Sequence, residues 1–257
     1  MIRLLIKKTF LDMWDHLLGI AVLNIVGTLL LAGIFYGLQP FTVHPALLFL
    51  GVALGMGLFS IYLAVVSRSM KQLADYGSLD LRNAARSLKE EWRSGVAFGG
   101  VMYLQLLILV IVMPWYFQRE TLWGVGIGAF LFWASVMWLA ASQYYFPARH
   151  RLTVTLLRVP QKCVLLLLDN TAFTILLALG TVVLSLISVF TVFMFPGVAT
   201  VMLWHQVALK FRLYKYDYLE SHPNARRNHI PWKALLEADD ERVGTRTLRQ
   251  LIFPWKS

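Results

Sequence analysis

The chain holds a single cysteine, Cys163, so no disulfide can form within it. Acidic residues are scarce: 14 Asp and Glu stand against 24 Lys and Arg, for a net charge of +10. Only one carboxylate, Asp169, falls inside an apolar run. The sequence has no Walker A loop, no H-E-x-x-H and no G-x-S-x-G. It has no Cys/His cluster at metal-ligand spacing either, and His205 has no Cys, Asp or His neighbour that would complete a site. Gly124-Val125-Gly126-Ile127-Gly128 resembles a nucleotide loop only as a string, because it lies in an apolar run and follows no strand. No cofactor, metal or catalytic constellation is therefore expected. No short apolar region is followed by a small-x-small cleavage site, so no cleavable signal peptide is expected.

What the chain has is apolar length: 58% of its residues are hydrophobic, gathered into runs. Its cations alternate with those runs. Arg3, Lys7 and Lys8 precede the first. Arg68, Lys71, Arg82, Arg86, Lys89 and Arg93 lie between the second and third, and Arg149, Arg151, Arg158 and Lys162 between the fourth and fifth. Ten more follow, from Lys210 to Lys256; only Arg119 lies in a link of the other parity. Cationic loops resist translocation, so the pattern predicts a polytopic membrane protein with both termini in the cytoplasm. Charge that flanks spans points to lipid headgroups as the partner rather than to nucleic acid.

A span needs about 20 apolar residues. That length predicts an all-α protein with six spans at about Leu17–Leu38, Pro45–Val66, Gly95–Tyr116, Leu122–Phe146, Pro160–Val192 and Pro196–Phe211. Phe195-Pro196-Gly197 separates the last two. The alternative is five spans and a re-entrant sixth segment, which would place the basic tail outside. Residues 1–16 form an amphipathic lead-in, with Ile2, Leu4, Leu5, Phe10 and Trp14 on the membrane surface and Arg3, Lys7, Lys8, Asp12 and Asp15 in water. Asp80–Ser94 is expected to be a second amphipathic helix. Residues 212–257 form a cytoplasmic tail with a short helix over Pro231–Val243 and Gly244 past its end. Shifting the chain by 78 residues lays Thr9, Phe10, Asp12 and Trp14 on Ser87, Leu88, Glu90 and Trp92, which suggests three helix pairs, each behind a lead-in.

The polar candidates inside the membrane are Asp169, Asn170, His205, Asn24 and Gln105. An ionisable residue at membrane depth marks function or a buried pair, and the amides and the imidazole suit interhelical hydrogen bonds. Asp169 lies about two turns inside Lys162, near the cytoplasmic interface. Glycine pairs at small-xxx-small spacing (Gly33/Gly37, Gly51/Gly55, Gly95/Gly99 and Gly124/Gly128) predict close helix packing. In the tail, Trp232, Leu235 and Leu236, then Leu248, Leu251, Phe253 and Trp255 with interleaved cations, suit docking to a partner or lying on the bilayer.

Ser142-Gln143-Tyr144-Tyr145-Phe146-Pro147 closes the fourth span. A basic loop, the lead-in Leu156–Lys162 and the run Leu165–Leu176 with Asp169-Asn170 follow it. Over Phe10–Phe211 this order resembles the YesL-like family of bacterial multi-span membrane proteins. The resemblance implies a protein of the bacterial cytoplasmic membrane, with an accessory role beside carbohydrate uptake systems. It carries no functional residue. Three readings follow: a non-catalytic accessory or regulatory partner of a transport complex, a small autonomous transporter or channel using polar residues of the last two spans, and a membrane enzyme, for which no nucleophile–base pair is visible.

Overall fold

The computed structural model describes residues 1–224 and 230–244. Among these the chain is helical, with no strand. Five helices are long and apolar enough to cross a bilayer: Leu17–Phe41, Pro45–Ala74, Leu81–Phe117, Leu122–Ser142 and Thr171–Phe190. The apolar runs thus form an integral membrane protein.

Helix α1 is Ile2–Asp15 and α2 is Leu17–Leu38, as the run length predicts. Helix α3, Pro45–Ala74, opens on a proline whose missing N–H falls at the first turn. It continues past Val66 because Ser67, Ser69, Met70, Leu73 and Ala74 are buried against neighbours. Helix α4, Leu81–Leu107, is capped by Asp80, which accepts from the Arg82 N–H at 2.8 Å. The expected amphipathic segment and third span are one continuous helix, which passes through a π turn at Ile108–Val112 into α5, Met113–Phe117. Helix α6, Leu122–Ser142, is capped by Thr121. It stops short of Phe146, and α7, Tyr145–Arg151, follows a turn.

The run read as one span from Pro160 to Val192 is two helices, α8, Val159–Asp169, and α9, Thr171–Phe190. The chain bends at Asn170, where φ is −134° and ψ is 40°. The bend between α1 and α2 at His16 is nearly the same, with φ −120° and ψ 28°. Asn170 holds its bend by donating to the Leu166 carbonyl and to the Tyr216 hydroxyl. Helix α10, Gly197–Ser221, runs beyond Phe211. The predicted tail helix is present as α11, Trp232–Leu235, and α12, Glu237–Val243, with Gly244 at φ 68°.

Helix α10 is the axis of the fold, packed against α1, α2, α3, α7 and α9. Leu203, Val207, Ala208, Leu209 and Phe211 on it are fully buried. It is not among the five helices apolar enough to cross a bilayer, and its central residues pack against protein.

Helix α1 departs from the expected surface helix. Leu4, Leu5, Lys8, Thr9, Leu11 and Met13 are buried against the bundle, so Lys8 is not in water. Its outward edge is the period-four set Ile2, Ile6, Phe10 and Trp14. Of the quartets related by the 78-residue shift, two pairs share an environment (Thr9 and Ser87 buried, Trp14 and Trp92 exposed) and two do not, since Phe10 and Asp12 are half-buried where Leu88 and Glu90 are exposed.

Three of the four glycine pairs pack as predicted. A Cβ at Gly95 would sit 2.4 Å from Ile61 Cα, and one at Gly99 2.9 Å from Gly57 Cα, so α3 and α4 touch backbone to backbone. Gly51 and Gly55 meet Leu38 and Ile34, and Gly124 and Gly128 meet the Tyr116–Phe117 end of α5. Gly33 and Gly37 meet nothing within 4 Å, because they face away from every other helix.

Candidate functional site

The chain between α9 and α10 makes an irregular turn with Val192 and Phe193 at positive φ. Its polar groups are satisfied by side chains. Asn24 of α2 donates to the carbonyls of Met194 (3.0 Å) and Pro196 (2.7 Å) and accepts from the Ala199 N–H (2.8 Å). Ser188 accepts from the Gly197 N–H, Thr200 donates to the Pro196 carbonyl, and Thr191 bonds the Phe195 backbone. Asn24 lies only seven residues into α2. The turn therefore meets α2 about 21 Å before its far end, the rise of the fourteen residues to Leu38.

The other sequence-predicted polar residues are also bonded. His205 Nε2 lies 2.9 Å from Thr181 Oγ1, which donates to Gln143 Oε1 at 2.9 Å. Asp169 Oδ2 accepts from Lys215 Nζ (2.8 Å) and the Tyr216 hydroxyl (2.6 Å), and joins the end of α8 to the C-terminal part of α10. Asn170 is a part of that group. Gln105 is buried with Nε2 unbonded, apart from the others. The structure does not bring the five together.

The densest polar assembly, which sequence reasoning missed, lies at the end of the bundle that carries α1, the α3–α4 turn, α7 and the tail. Gln206, Lys210 and Tyr214 recur every four residues on one face of α10. Gln206 is fully buried. Its Oε1 accepts from Arg151 Nε (3.0 Å), and its amide donates to Ser67 Oγ (2.9 Å) and His150 Nδ1 (3.2 Å). That leaves His150 Nε2 to face Glu91 Oε2 at 3.3 Å. Burial holds the imidazole pKa below its ordinary value against the pull of Glu91, so the ring is neutral at pH 7. Glu91 also meets Arg68 at 2.9 Å, and Arg151 also reaches Asp75 at 3.0 Å.

The chain of contacts continues into the tail. Lys210 Nζ lies 3.1 Å from Asp239 Oδ1 of α12 and donates to the Ala74 carbonyl. Asp239 accepts from the hydroxyls of Tyr76 (2.5 Å) and Tyr214 (2.7 Å). Tyr76 occupies the left-handed region at φ 65°, where a non-glycine residue is strained. Its ring compensates by lying under three cations: Lys8 at 3.5 Å, Lys210 at 4.5 Å and Arg242 at 4.9 Å. Leu236 and Val243 are buried, Trp232 and Leu235 half-buried, and Lys7 donates to the Gly244 carbonyl. The tail helix docks on its own bundle. Leu248, Leu251, Phe253 and Trp255 lie outside the described residues. The sequence signals for this assembly were faint: Gln206 is a lone amide in an apolar run, and Glu91, His150 and Asp239 sit in ordinary charged stretches.

Burial pushes the Asp239 pKa up, but the Tyr76 and Tyr214 hydrogen bonds and the Lys210 charge outweigh it and hold the carboxyl below its ordinary range. A depressed carboxylate stabilises the fold above the unfolded value, about 3.9, and loses that contribution as pH falls through its folded value. Asp239→Asn is expected to raise amide hydrogen exchange across residues 236–243 at pH 7. The unmodified protein should show the same release only below about pH 4.

No family model, curated protein or solved structure matches this chain.

Proposed function

We propose that the protein is a non-catalytic accessory or regulatory partner of a membrane transport complex, resident in the bacterial cytoplasmic membrane with both termini inside. One observation carries this reading. The polar side chains that a translocation path through the last two helices would need are already engaged: Asn24 holds the α9–α10 turn, His205 is bonded through Thr181, and Asp169 is neutralised by Lys215. A transporter builds its midplane site from such groups left facing a path. The resemblance to the YesL-like family supports a partner in carbohydrate uptake.

The six-span count takes a modified form in this reading. Helices α2, α3, α4–α5 and α6 cross fully, and α9 and α10 form a re-entrant hairpin whose two ends lie on the same side. Irregular backbone at membrane depth survives only where protein satisfies its polar groups, and the Asn24–Ser188–Thr191–Thr200 shell does this. The hairpin keeps the basic tail inside without a sixth crossing. The two bends at His16 and Asn170 support the description as repeated lead-ins.

Two experiments test the proposal. Cys163 is buried, so an introduced thiol dominates labelling. A cysteine at His44 or Arg119 should react with an impermeant reagent on intact cells, and one at Arg82 should not; labelling at Arg82 would invert the topology. In vesicles, the purified protein should leave proton and sodium permeability at the level of empty vesicles. A leak that Asp169→Asn abolishes would replace this reading with the transporter.

A further inference from the structure

A cleft of 560 Å³ opens at the charged end of the bundle between α3, α4 and α7. Arg68, Lys71, Gln72, Asp75, Glu91 and Arg149 are among the residues that line it. Its two carboxylates already have cations: Asp75 meets Arg151 at 3.0 Å and Lys210 at 3.9 Å, and Glu91 meets Arg68 at 2.9 Å, with the neutral His150 ring on its other oxygen. Arg68 is shared with Glu90 at 2.5 Å. Two lining cations remain, because neither Lys71 nor Arg149 is paired with a carboxylate among the described residues. Arg149 is held in place by one bond from Nη1 to the Val154 carbonyl, and its Nε is buried without a partner.

The height of the cleft matters as much as its charge. Glu91 on its wall is followed by Trp92, which is exposed and carries Arg93 over its ring at 5.3 Å. Exposed tryptophans with flanking cations sit at the headgroup level of a bilayer. Basic pockets between helices at that level accept phosphorylated headgroups, and a guanidinium beside an ammonium suits a phosphate, the first as a planar fork and the second as a point charge.

We infer that this cleft binds a phosphate-bearing anion between Lys71 and Arg149, with Gln72 as a neutral donor. The inference rests on the cleft alone and does not require the transport partner. The source of the phosphate is a lipid headgroup or a soluble phosphate, and the test separates them. Full-length protein in a neutral detergent is titrated with inorganic phosphate by calorimetry. In parallel, the number of phosphatidylglycerol molecules retained per chain is counted by native mass spectrometry, with phosphatidylcholine as reference. Lys71→Gln is the principal variant, because Lys71 supports no ion pair that folding needs. Lys162→Gln, an exposed cation at the same end, is the control.

Saturable binding of inorganic phosphate, weakened at least tenfold by Lys71→Gln and unchanged by Lys162→Gln, supports the site with a soluble ligand. Retention of one phosphatidylglycerol that is lost in Lys71→Gln alone, without phosphate binding, supports the site with a lipid ligand. Lys71→Arg should retain either form. Binding of neither anion, or equal losses in Lys71→Gln and Lys162→Gln, overturns the proposal.

Discussion

Gly95→Ala should destabilise the protein by about 3 kcal/mol, roughly a 6–12 °C fall in unfolding midpoint, and Gly100→Ala should not. The two positions lie five residues apart on α4 but meet different surroundings. A methyl at Gly95 would sit 2.4 Å from Ile61 Cα and 2.7 Å from Ile61 N, so α3 and α4 would have to separate. Backbone cannot rotate aside as a side-chain end can. At Gly100 there is nothing within 4 Å, and alanine there gains the helix propensity that glycine lacks, about 0.5–1 kcal/mol. Opposite signs within two turns of one helix are the expected result, read by thermal unfolding in detergent followed by size-exclusion fluorescence. A neutral Gly95→Ala would mean that α3 and α4 do not touch as described.

Gln206→Leu is expected to be as damaging, by another mechanism. Leucine nearly conserves volume but removes one acceptor and two donor contacts. Arg151 Nε, Ser67 Oγ and His150 Nδ1 would each lose the fully buried Gln206 amide as a partner. An orphaned buried polar group costs about 1–3 kcal/mol, and three together make a loss of about 3 kcal/mol or more a minimum. Because His150 would lose the bond that fixes its tautomer, its contact with Glu91 should loosen too. Hydrogen exchange across residues 145–151 should rise in the variant, while residues 45–60 of α3, far from the assembly, should stay protected. Unchanged protection in α7 would show that Gln206 is not the hub of this network.

Much of the transmembrane architecture was legible because it follows from one-dimensional signals. The span length of Leu17–Leu38, the proline at the start of α3 and Gly244 past the tail helix are written in local sequence, and the structure has each in place. Bends were less legible. Asn170 breaks the long apolar run between Pro160 and Val192 through a side-chain bond to Tyr216, and a contact between residues 46 apart leaves no periodicity to read. The lead-in misled for a related reason. Lys8 looks like a water-facing cation by spacing, but the Tyr76 ring and the Asp12 carboxylate 2.9 Å away receive it inside the fold. Polar residues within apolar runs were easy to single out, yet their partners were not. Asn24 was visible as an intramembrane amide, while the turn it satisfies lies some 170 residues away. The charged assembly around Gln206, Lys210 and Asp239 was least legible, because it draws one to three residues from each of several helices whose convergence only the fold determines.

The docked tail changes how the accessory role should be tested. A chain ending at Tyr218 would lose Asp239 along with any partner-binding segment, so a negative result would mix misfolding with lost recognition. A chain ending at Gly244 keeps α12 and its bonds to Lys210, Tyr76 and Tyr214. The decisive measurement is co-purification in mild detergent at native expression, with mass spectrometry, comparing the full chain with the version ending at Gly244. A membrane transport component that accompanies the full chain and is lost from the shorter one is the expected outcome. No specific companion in either preparation, with both proteins folded, would contradict it.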